Sequence, residues 1–177
     1  YASLAAWSTT LLLFGGVSSA NADFHNSTYE YVTSRRVWQQ VSVSGGPISP
    51  RSGHTATVCT PSTGCSSPDG RPKMYVFGGW GMAPCGGDLN MPPCLTHRDD
   101  LVALDLNSMV WHPVKVNEEQ PRPWGRKGHT ATLVNKTILM VFGGSAWTPD
   151  AEADNSYGYT TNHVNDLWHI DLSEIGR

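Results

Sequence analysis

A short apolar run that ends in two glycines recurs along the chain, and two copies are the clearest. Residues Ile138–Phe142 read ILMVF, residues Lys73–Phe77 read KMYVF, and each run is followed by Gly-Gly. A run that is apolar at nearly every position predicts a strand buried on both faces. The paired glycines predict a tight exit that needs a positive φ or a close approach to another strand. These four residues are Gly78, Gly79, Gly143 and Gly144.

A second motif precedes each apolar run. It reads RSGHTAT from Arg51 and RKGHTAT from Arg126, and a turn at residues 135–136 joins the second copy to its apolar run. Short β-rich segments separated by turn residues are typical of hairpins. His54 and His129 recur at one position, so a structural role shared by every repeat is favoured over a catalytic base.

A third motif follows each Gly-Gly pair after a long polar connection. It reads DDLVALDL from Asp99, with Trp111 beyond it, and NDLWHIDL from Asn165. Asp100 and Asp166 precede the leucine of this motif and are the expected partners of the two repeated arginines. Trp111, and Trp38 in a weaker copy, are expected to pack between repeats because tryptophan buries a large apolar area, and Trp111 is expected to face the next repeat.

A partial copy opens the chain. SLAAWSTTLLLFGG ends in the same Phe-Gly-Gly, and a gapless alignment places Tyr1 opposite His129. The ordered strings R-x-G-H-T, apolar-F-G-G, D-L-x-x-(L/I)-D-L and a following Trp resemble the kelch repeat, and they cover nearly all of the chain apart from the long connections. The resemblance implies an all-β fold, a kelch-type β-propeller of four-stranded antiparallel blades.

The length predicts only part of such a ring. At about 50 residues per blade, a six- or seven-bladed propeller needs about 300 to 350 residues, whereas this chain has 177. We expect a partial blade over 1–44, a complete blade over 45–117 and a partial blade over 118–177, all within one propeller domain of a longer chain.

Charge and composition narrow the functional classes. The net charge is −3 and 15% of the residues are charged, without a basic stripe, so nucleic-acid binding is not expected. No nucleophile motif or phosphate-binding glycine loop occurs, and the acids at 150, 152 and 154 lack the spacing of a calcium loop. We therefore predict no catalytic residues, no cofactor and no metal site.

The apolar segment near the start has a second interpretation. Residues 11–17 followed by Ala-Asn-Ala at 20–22 resemble a signal peptide with its cleavage site. No lysine or arginine precedes the apolar run, which favours a strand. No apolar run approaches the roughly 20 residues that span a bilayer.

Cysteines and sequons bear on the compartment. Cys59 with Cys65, and Cys85 with Cys94, form two close pairs without zinc-site spacing, and the alternatives are two loop disulfides or four reduced thiols. Asn26 and Asn135 begin sequons in predicted exposed turns. Together these features favour an oxidising compartment.

The long connections are the candidate interaction surface. They cover residues 15–26, 80–98 and 145–165, and in a propeller they would emerge from one face, where loops on a rigid scaffold commonly bind partners. The alternative is local packing. The residues singled out for partner contact are Trp80, Arg98, Trp147, Tyr157, Tyr159 and His163.

These features predict a protein-interaction module of kelch type. The main hypothesis places it in a secreted or cell-surface protein or an extracellular assembly, binding a protein or a glycan. The first alternative is an intracellular adaptor that recruits a protein substrate. The second alternative is a propeller enzyme whose active site lies in other blades.

Overall fold

The computed structural model describes residues 1–46, 48–65, 67–84, 93–116, 121–149 and 159–174. These residues form an all-β fold, with two short 3-10 turns at Pro61–Thr63 and Leu172–Glu174. The strands are β1 Ser3–Trp7, β2 Thr10–Val17, β3 Phe24–Val32, β4 Val37–Gln40, β5 Ser44–Gly45, β6 Thr55–Cys59, β7 Lys73–Phe77, β8 Trp80–Pro84, β9 Pro93–His97, β10 Leu101–Asp105, β11 Val110–Val114, β12 Arg126–Lys127, β13 Thr130–Val134, β14 Ile138–Phe142, β15 Ser145–Pro149, β16 Tyr159–His163 and β17 Leu167–Asp171.

Three sheets correspond to three blades. The first has the order β1-β2-β3-β4, and the third has the order β13-β14-β17 among the described residues. The second has the order β5-β11-β10-β7-β6, where β5 pairs in parallel with β11 and the other pairs are antiparallel. The prediction of four-stranded antiparallel blades in a partial ring is confirmed, with β5 as a short addition to the second blade.

The hydrophobic core lies between the sheets, in two layers. Met74 and Val76 of β7 point into the layer shared with the first sheet, whereas Tyr75 and Phe77 point into the layer shared with the third. All four side chains are buried. Because successive residues of a strand face opposite sides of its sheet, the continuous apolar run KMYVF fills both layers, as the sequence predicts for this strand.

The predicted alignment of the first hairpin with the third is wrong by one residue. Ser3 pairs with Phe14 as Thr130 pairs with Phe142, so Ala2, not Tyr1, occupies the position of His129. The gapless alignment fails because the first hairpin has two turn residues between its paired ends and the third has three.

The direction in which Trp111 packs also differs from expectation. Trp111 packs towards the preceding blade, with its ring centroid 4.8 Å from that of Phe14, rather than towards the next one. Trp38 packs on Tyr31 of its own sheet and is 50% exposed among the described residues, and its packing between blades stays a prediction. A strand sequence does not encode which neighbour each face meets, and this is why the direction was missed.

The predicted loops are largely regular structure. In the first blade β2 extends to Val17 and β3 begins at Phe24, and the two strands pair with a bulge between Phe14 and Gly16. In the second blade β8 and β9 pair as a hairpin, and in the third β15 and β16 do the same and are joined by β12. The connections between the second and third blade strands are therefore β-hairpins, which we call the hairpin face: residues 16–25, 80–84, 93–97, 145–149 and 159–163.

Candidate protein-binding face

A repeated arginine fixes the base of the second and third hairpins. Arg51 is fully buried and donates to both carboxylate oxygens of Asp100, at 2.8 and 2.7 Å, and to the carbonyl oxygen of Gly78 at 3.1 Å. The expected Arg–Asp pairing is present here. It joins the first motif, the Gly-Gly exit and the third strand of one blade.

The same arrangement recurs in the third blade. Arg126 donates to Asp166 at 2.6 and 2.9 Å and to the carbonyl oxygen of Gly143 at 3.1 Å. These hydrogen bonds, together with one from the Trp168 indole, lower the pKa of the Asp166 carboxyl group. Bidentate pairs of this kind are strong and directional, so the second and third hairpins start from a fixed geometry.

The repeated histidines connect neighbouring blades. The Nε2 atom of His54 lies 2.7 Å from the Ser3 hydroxyl, and that of His129 lies 2.9 Å from the Thr55 hydroxyl. Burial, reinforced by the adjacent arginine, lowers the pKa of His54 to about 3 and that of His129 to about 4. Both imidazoles are therefore neutral at pH 7 and serve as inter-blade hydrogen-bonding groups.

Backbone hydrogen bonds tie the first and second hairpins to the following blade. The Gly16 amide donates to the carbonyl of Arg51 at 2.8 Å, and the Gly79 amide donates to that of Arg126 at 2.7 Å. In return, the Arg51 amide donates to the His25 carbonyl and the Arg126 amide donates to the Arg98 carbonyl. These two hairpins are consequently held by two blades each rather than projecting freely.

The second glycine of each Gly-Gly pair permits this close approach. Gly79 has φ +94°, and a Cβ atom there would lie 2.8 Å from the Ser52 carbonyl oxygen and 2.9 Å from the His54 Cβ. Gly144 has the same φ and would meet the Lys127 carbonyl oxygen at 2.7 Å. No other residue type combines this conformation with the absence of a side chain.

Aromatic rings cross the hairpin face from blade to blade. Phe24 of the first hairpin packs edge-to-face on Trp80 of the second, with centroids 5.7 Å apart. Trp80 pairs across the hairpin with His97, whose ring lies 6.4 Å from that of Trp147 in the third hairpin. Burial, and next the charge of Lys127, lower the pKa of His97 to about 4.

A lysine from the third blade lies on this row of rings. The Lys127 Nζ is 3.3 Å from the centre of the Trp80 ring, which is the geometry of a cation–π contact. Partial burial lowers the pKa of the Lys127 ammonium group. The Lys127 ammonium group is thereby held in place on the hairpin face.

Two cavities share the Lys127–Trp80 pair as a common wall. The larger cavity, about 530 Å³, lies near the residues that precede the first strands of the second and third blades. It is lined also by Gly53, Gly128 and His163. The smaller, about 310 Å³, lies between the second and third hairpins. Its remaining lining residues are Leu95, His97, Trp147 and Thr161.

The repeat geometry matches a known family. A model of the KLHDC2/KLHL20/DRC7 Kelch-repeats domain matches residues 1–175. The chain belongs to this Kelch-repeat family. Its two Arg–Asp pairs, its buried histidines and its Gly-Gly exits occupy equivalent places in successive kelch blades.

Several known proteins are similar to parts of this Kelch-repeat chain. Human host cell factor 2 is 33% identical over 148 residues, which is 77% of this chain and 16% of that protein. The leucine-zipper-like transcriptional regulator 1 homolog of Drosophila melanogaster is 25% identical over 169 residues, which is 95% of this chain and 14% of that protein. This chain thus spans a small part of the curated relatives that it matches.

A solved structure supports the fold. The structure of YjhT is similar with a TM-score of 0.55 at 19% identity, over 82% of this chain and 34% of that chain. At this identity the likeness concerns the fold alone.

Four of the six residues singled out for partner contact have described side chains on or beside the hairpin face. Trp80 and Trp147 line the smaller cavity, His163 lines the larger one, and Arg98 donates to the Met82 carbonyl at 3.3 Å. Tyr159 begins β16, whereas Tyr157 lies outside the described residues. Their role in partner binding remains a prediction.

Sequence reasoning missed Lys127. It occupies the variable position of the motif, where RSGH has Ser52 and RKGH has lysine. The change from serine to lysine between two otherwise identical motifs was the available signal. Its importance depends on Trp80, which is 47 positions away and is brought close only by the contact between blades.

The cysteines and sequons are placed differently from one another. Cys59 and Cys65 form a disulfide with a Cα–Cα distance of 5.2 Å, inside the layer between the second and third blades. Cys94 is also disulfide-bonded, while Cys85 lies outside the described residues.

Asn135 lies in an exposed turn as expected, with φ 46°. Asn26 is also exposed but lies in β3 rather than in a turn, and its amide donates to the Ile48 carbonyl at 2.9 Å.

The described residues carry neither a candidate metal site nor a membrane-spanning helix. Across these ranges no three His, Cys, Asp or Glu side chains are grouped as metal ligands. The described segments also contain no helix of the length and apolarity needed to cross a membrane. The acids at 150, 152 and 154 lie outside the described residues.

Proposed function

We propose that this Kelch-repeat domain is the partner-binding module of an adaptor-type protein and holds a protein partner on its hairpin face. The observation that carries the proposal is the row of aromatic rings that crosses the three hairpins, with Lys127 on it and two cavities beside it. Aromatic residues are enriched at protein interfaces because they bury large area at low entropic cost. The first and second hairpins are each hydrogen-bonded to the following blade, and the third is paired with β12, so little ordering is needed on binding.

The names of the relatives support the adaptor interpretation over the secreted one. A host cell factor and a transcriptional regulator homolog are among the proteins to which the chain is similar. Regulation of transcription is work done inside the cell. We therefore place the domain in an intracellular protein, in preference to the secreted or cell-surface hypothesis.

Photo-cross-linking from defined positions tests the proposal. A photoreactive amino acid is introduced at Thr161 on the hairpin face and, as a control, at Lys136 in the β13–β14 turn at the opposite end of the blade. We expect cross-links to another polypeptide from position 161 and none from position 136, in the full-length protein in its native cells. Cross-links from position 136 alone would contradict the proposal.

The disulfides favour a second candidate, an extracellular binding module. Cys59–Cys65 and the bonded Cys94 are typical of oxidising compartments, and Asn135 is an accessible sequon. Intact mass of the native protein, before and after reduction with alkylation and glycosidase treatment, separates the two candidates. Free thiols at 59 and 65 without a glycan support the adaptor, whereas a disulfide with a glycan at Asn135 supports the extracellular module.

A further inference from the structure

We infer that the segment bound on the hairpin face carries an acidic side chain adjacent to an apolar one, with the carboxylate against Lys127 and the apolar group in the cavity between the second and third hairpins. This inference rests on the proposed function. It adds the chemistry of the partner, which the fold alone does not give.

Lys127 supplies the positive charge of this site. None of the ion pairs formed among the described residues involves this lysine, and its ammonium group is held on the Trp80 ring instead. The ring attracts the cation without neutralising it. A carboxylate that approaches from the open side would add a full charge interaction while the cation–π contact is retained, and the half-buried setting screens that interaction less than an exposed surface would.

The smaller cavity has apolar side chains in its lining. Leu95 and Trp147 lie on opposite sides of it, and Leu95 is 49% exposed. At about 310 Å³ the cavity suits one large aliphatic or aromatic side chain rather than a folded element. Because Lys127 lines the same cavity, its apolar occupant would be a close neighbour of the acidic residue.

The lysine and the ring are fixed before any ligand arrives. Phe24 supports Trp80 from the first hairpin, and a Cβ atom at Gly53 would lie 3.2 Å from the Lys127 Cβ, so the lysine stem fills the space above that glycine. Long-range attraction would not favour an acidic segment, because the net charge is −3 and the β15–β16 connection carries acids at 150, 152 and 154. We therefore expect the selectivity for an acidic residue to come from local contact with Lys127.

Selection from a peptide library tests the inference. A random library of internal peptides with blocked ends is selected on the full-length protein, and the affinity of the best peptide is then measured for the wild type, Lys127→Glu, Lys127→Met and Trp147→Ala. Lys136→Glu is the matched control, since it reverses a lysine charge at the other end of the blade. Circular dichroism confirms that each variant is folded.

We expect enriched peptides with Asp or Glu next to a large apolar residue. Lys127→Glu should weaken the selected peptide at least about tenfold, which is about 1.4 kcal/mol, and Lys136→Glu should leave its affinity unchanged. Replacing the acid of the peptide with lysine should restore binding to Lys127→Glu and to no other variant. Trp147→Ala should weaken binding without altering the preference for an acid.

Three results would overturn the inference. They are enrichment of basic peptides, affinities that do not respond to Lys127→Glu, and the absence of any enriched peptide. In each case the proposed function is judged separately, because partner cross-links from position 161 do not depend on the sequence that is bound.

Discussion

The buried guanidinium group of Arg126 donates two hydrogen bonds to the carboxylate of Asp166, and the same pair recurs one blade earlier as Arg51 with Asp100. Each arginine also reaches the carbonyl oxygen of the first glycine of its Gly-Gly pair. One side chain therefore joins the start of the blade, its third strand and the exit to the hairpin. The hairpin face is positioned by charge pairing inside the blades as much as by the apolar layers between them.

Removing the carboxylate should cost substantial stability. Asp166→Asn leaves the fully buried Arg126 with carbonyl partners only, and breaking a buried pair typically costs about 3–5 kcal/mol. Because Asp166 is itself partly exposed, we expect about 2–3 kcal/mol in urea unfolding at pH 7. Asp69→Asn, which breaks the Lys73–Asp69 pair, is the matched control and should change stability by less than about 1 kcal/mol. Equal effects at the two positions would contradict the structural role given to Asp166.

The inter-blade histidines should make the protein sensitive to mild acid. Their folded-state pKa values, about 3 for His54 and about 4 for His129, lie below the ordinary 6.5. The unfolded chain therefore binds more protons than the folded one between about pH 6.5 and the folded values, so stability falls as pH falls through that window. Each histidine contributes up to about 1.4 kcal/mol per pH unit there.

A variant isolates this effect. His129→Gln retains an amide that can donate to the Thr55 hydroxyl but removes the titration, so the loss of stability between pH 7.5 and pH 5 should be smaller than in the wild type. His112→Gln, at an exposed position of β11, is the control and should leave the pH dependence as it is. An unchanged pH dependence in His129→Gln would show that the His129 imidazole of the wild type does not stay neutral in the fold.

The layer between the first two blades should depend on Trp111. Its ring lies against Phe14 and it is almost fully buried, so Trp111→Ala should cost about 3–5 kcal/mol. Trp38, at the equivalent outer-strand position of the first blade, is half-exposed among the described residues, and Trp38→Ala should cost about 1 kcal/mol or less. Thermal or urea unfolding of both variants makes the comparison. A cost for Trp38→Ala equal to that of Trp111→Ala would mean that another part of the full protein covers Trp38.

Much of the blade architecture could be predicted because it is local. The run KMYVF gave β7 its bounds, and the identical spacing of two motifs suggested that Arg51 and Arg126 have equivalent partners. Relations between blades were harder, since no local pattern says that Trp111 meets Phe14 or that Lys127 lies on Trp80. The hairpins were missed for a different reason. WGMAP and PCLTH contain proline and lack a regular alternation, and they pair because the Gly-Gly exits and the following blade align them.

The geometry of the hairpin face should depend on the second glycine of each pair, and the chain offers a matched test. Gly79→Ala forces a side chain into φ +94° and places its Cβ against the Ser52 carbonyl and His54. Gly70→Ala forces the same kind of conformation, φ +70°, where a Cβ would have no neighbour within 4 Å. The positive φ alone costs about 1–2 kcal/mol, so Gly70→Ala should lose about that much and keep the hairpin intact. Gly79→Ala should lose more, because the second hairpin must move away from Ser52, and this moves Trp80 away from Lys127.

Hydrogen exchange of the Trp80 amide, which donates to the Ser52 carbonyl at 2.9 Å, reports that movement directly. Faster exchange in Gly79→Ala alone is the expected result, and equal exchange in both variants would show that close approach at Gly79 does not hold the hairpin.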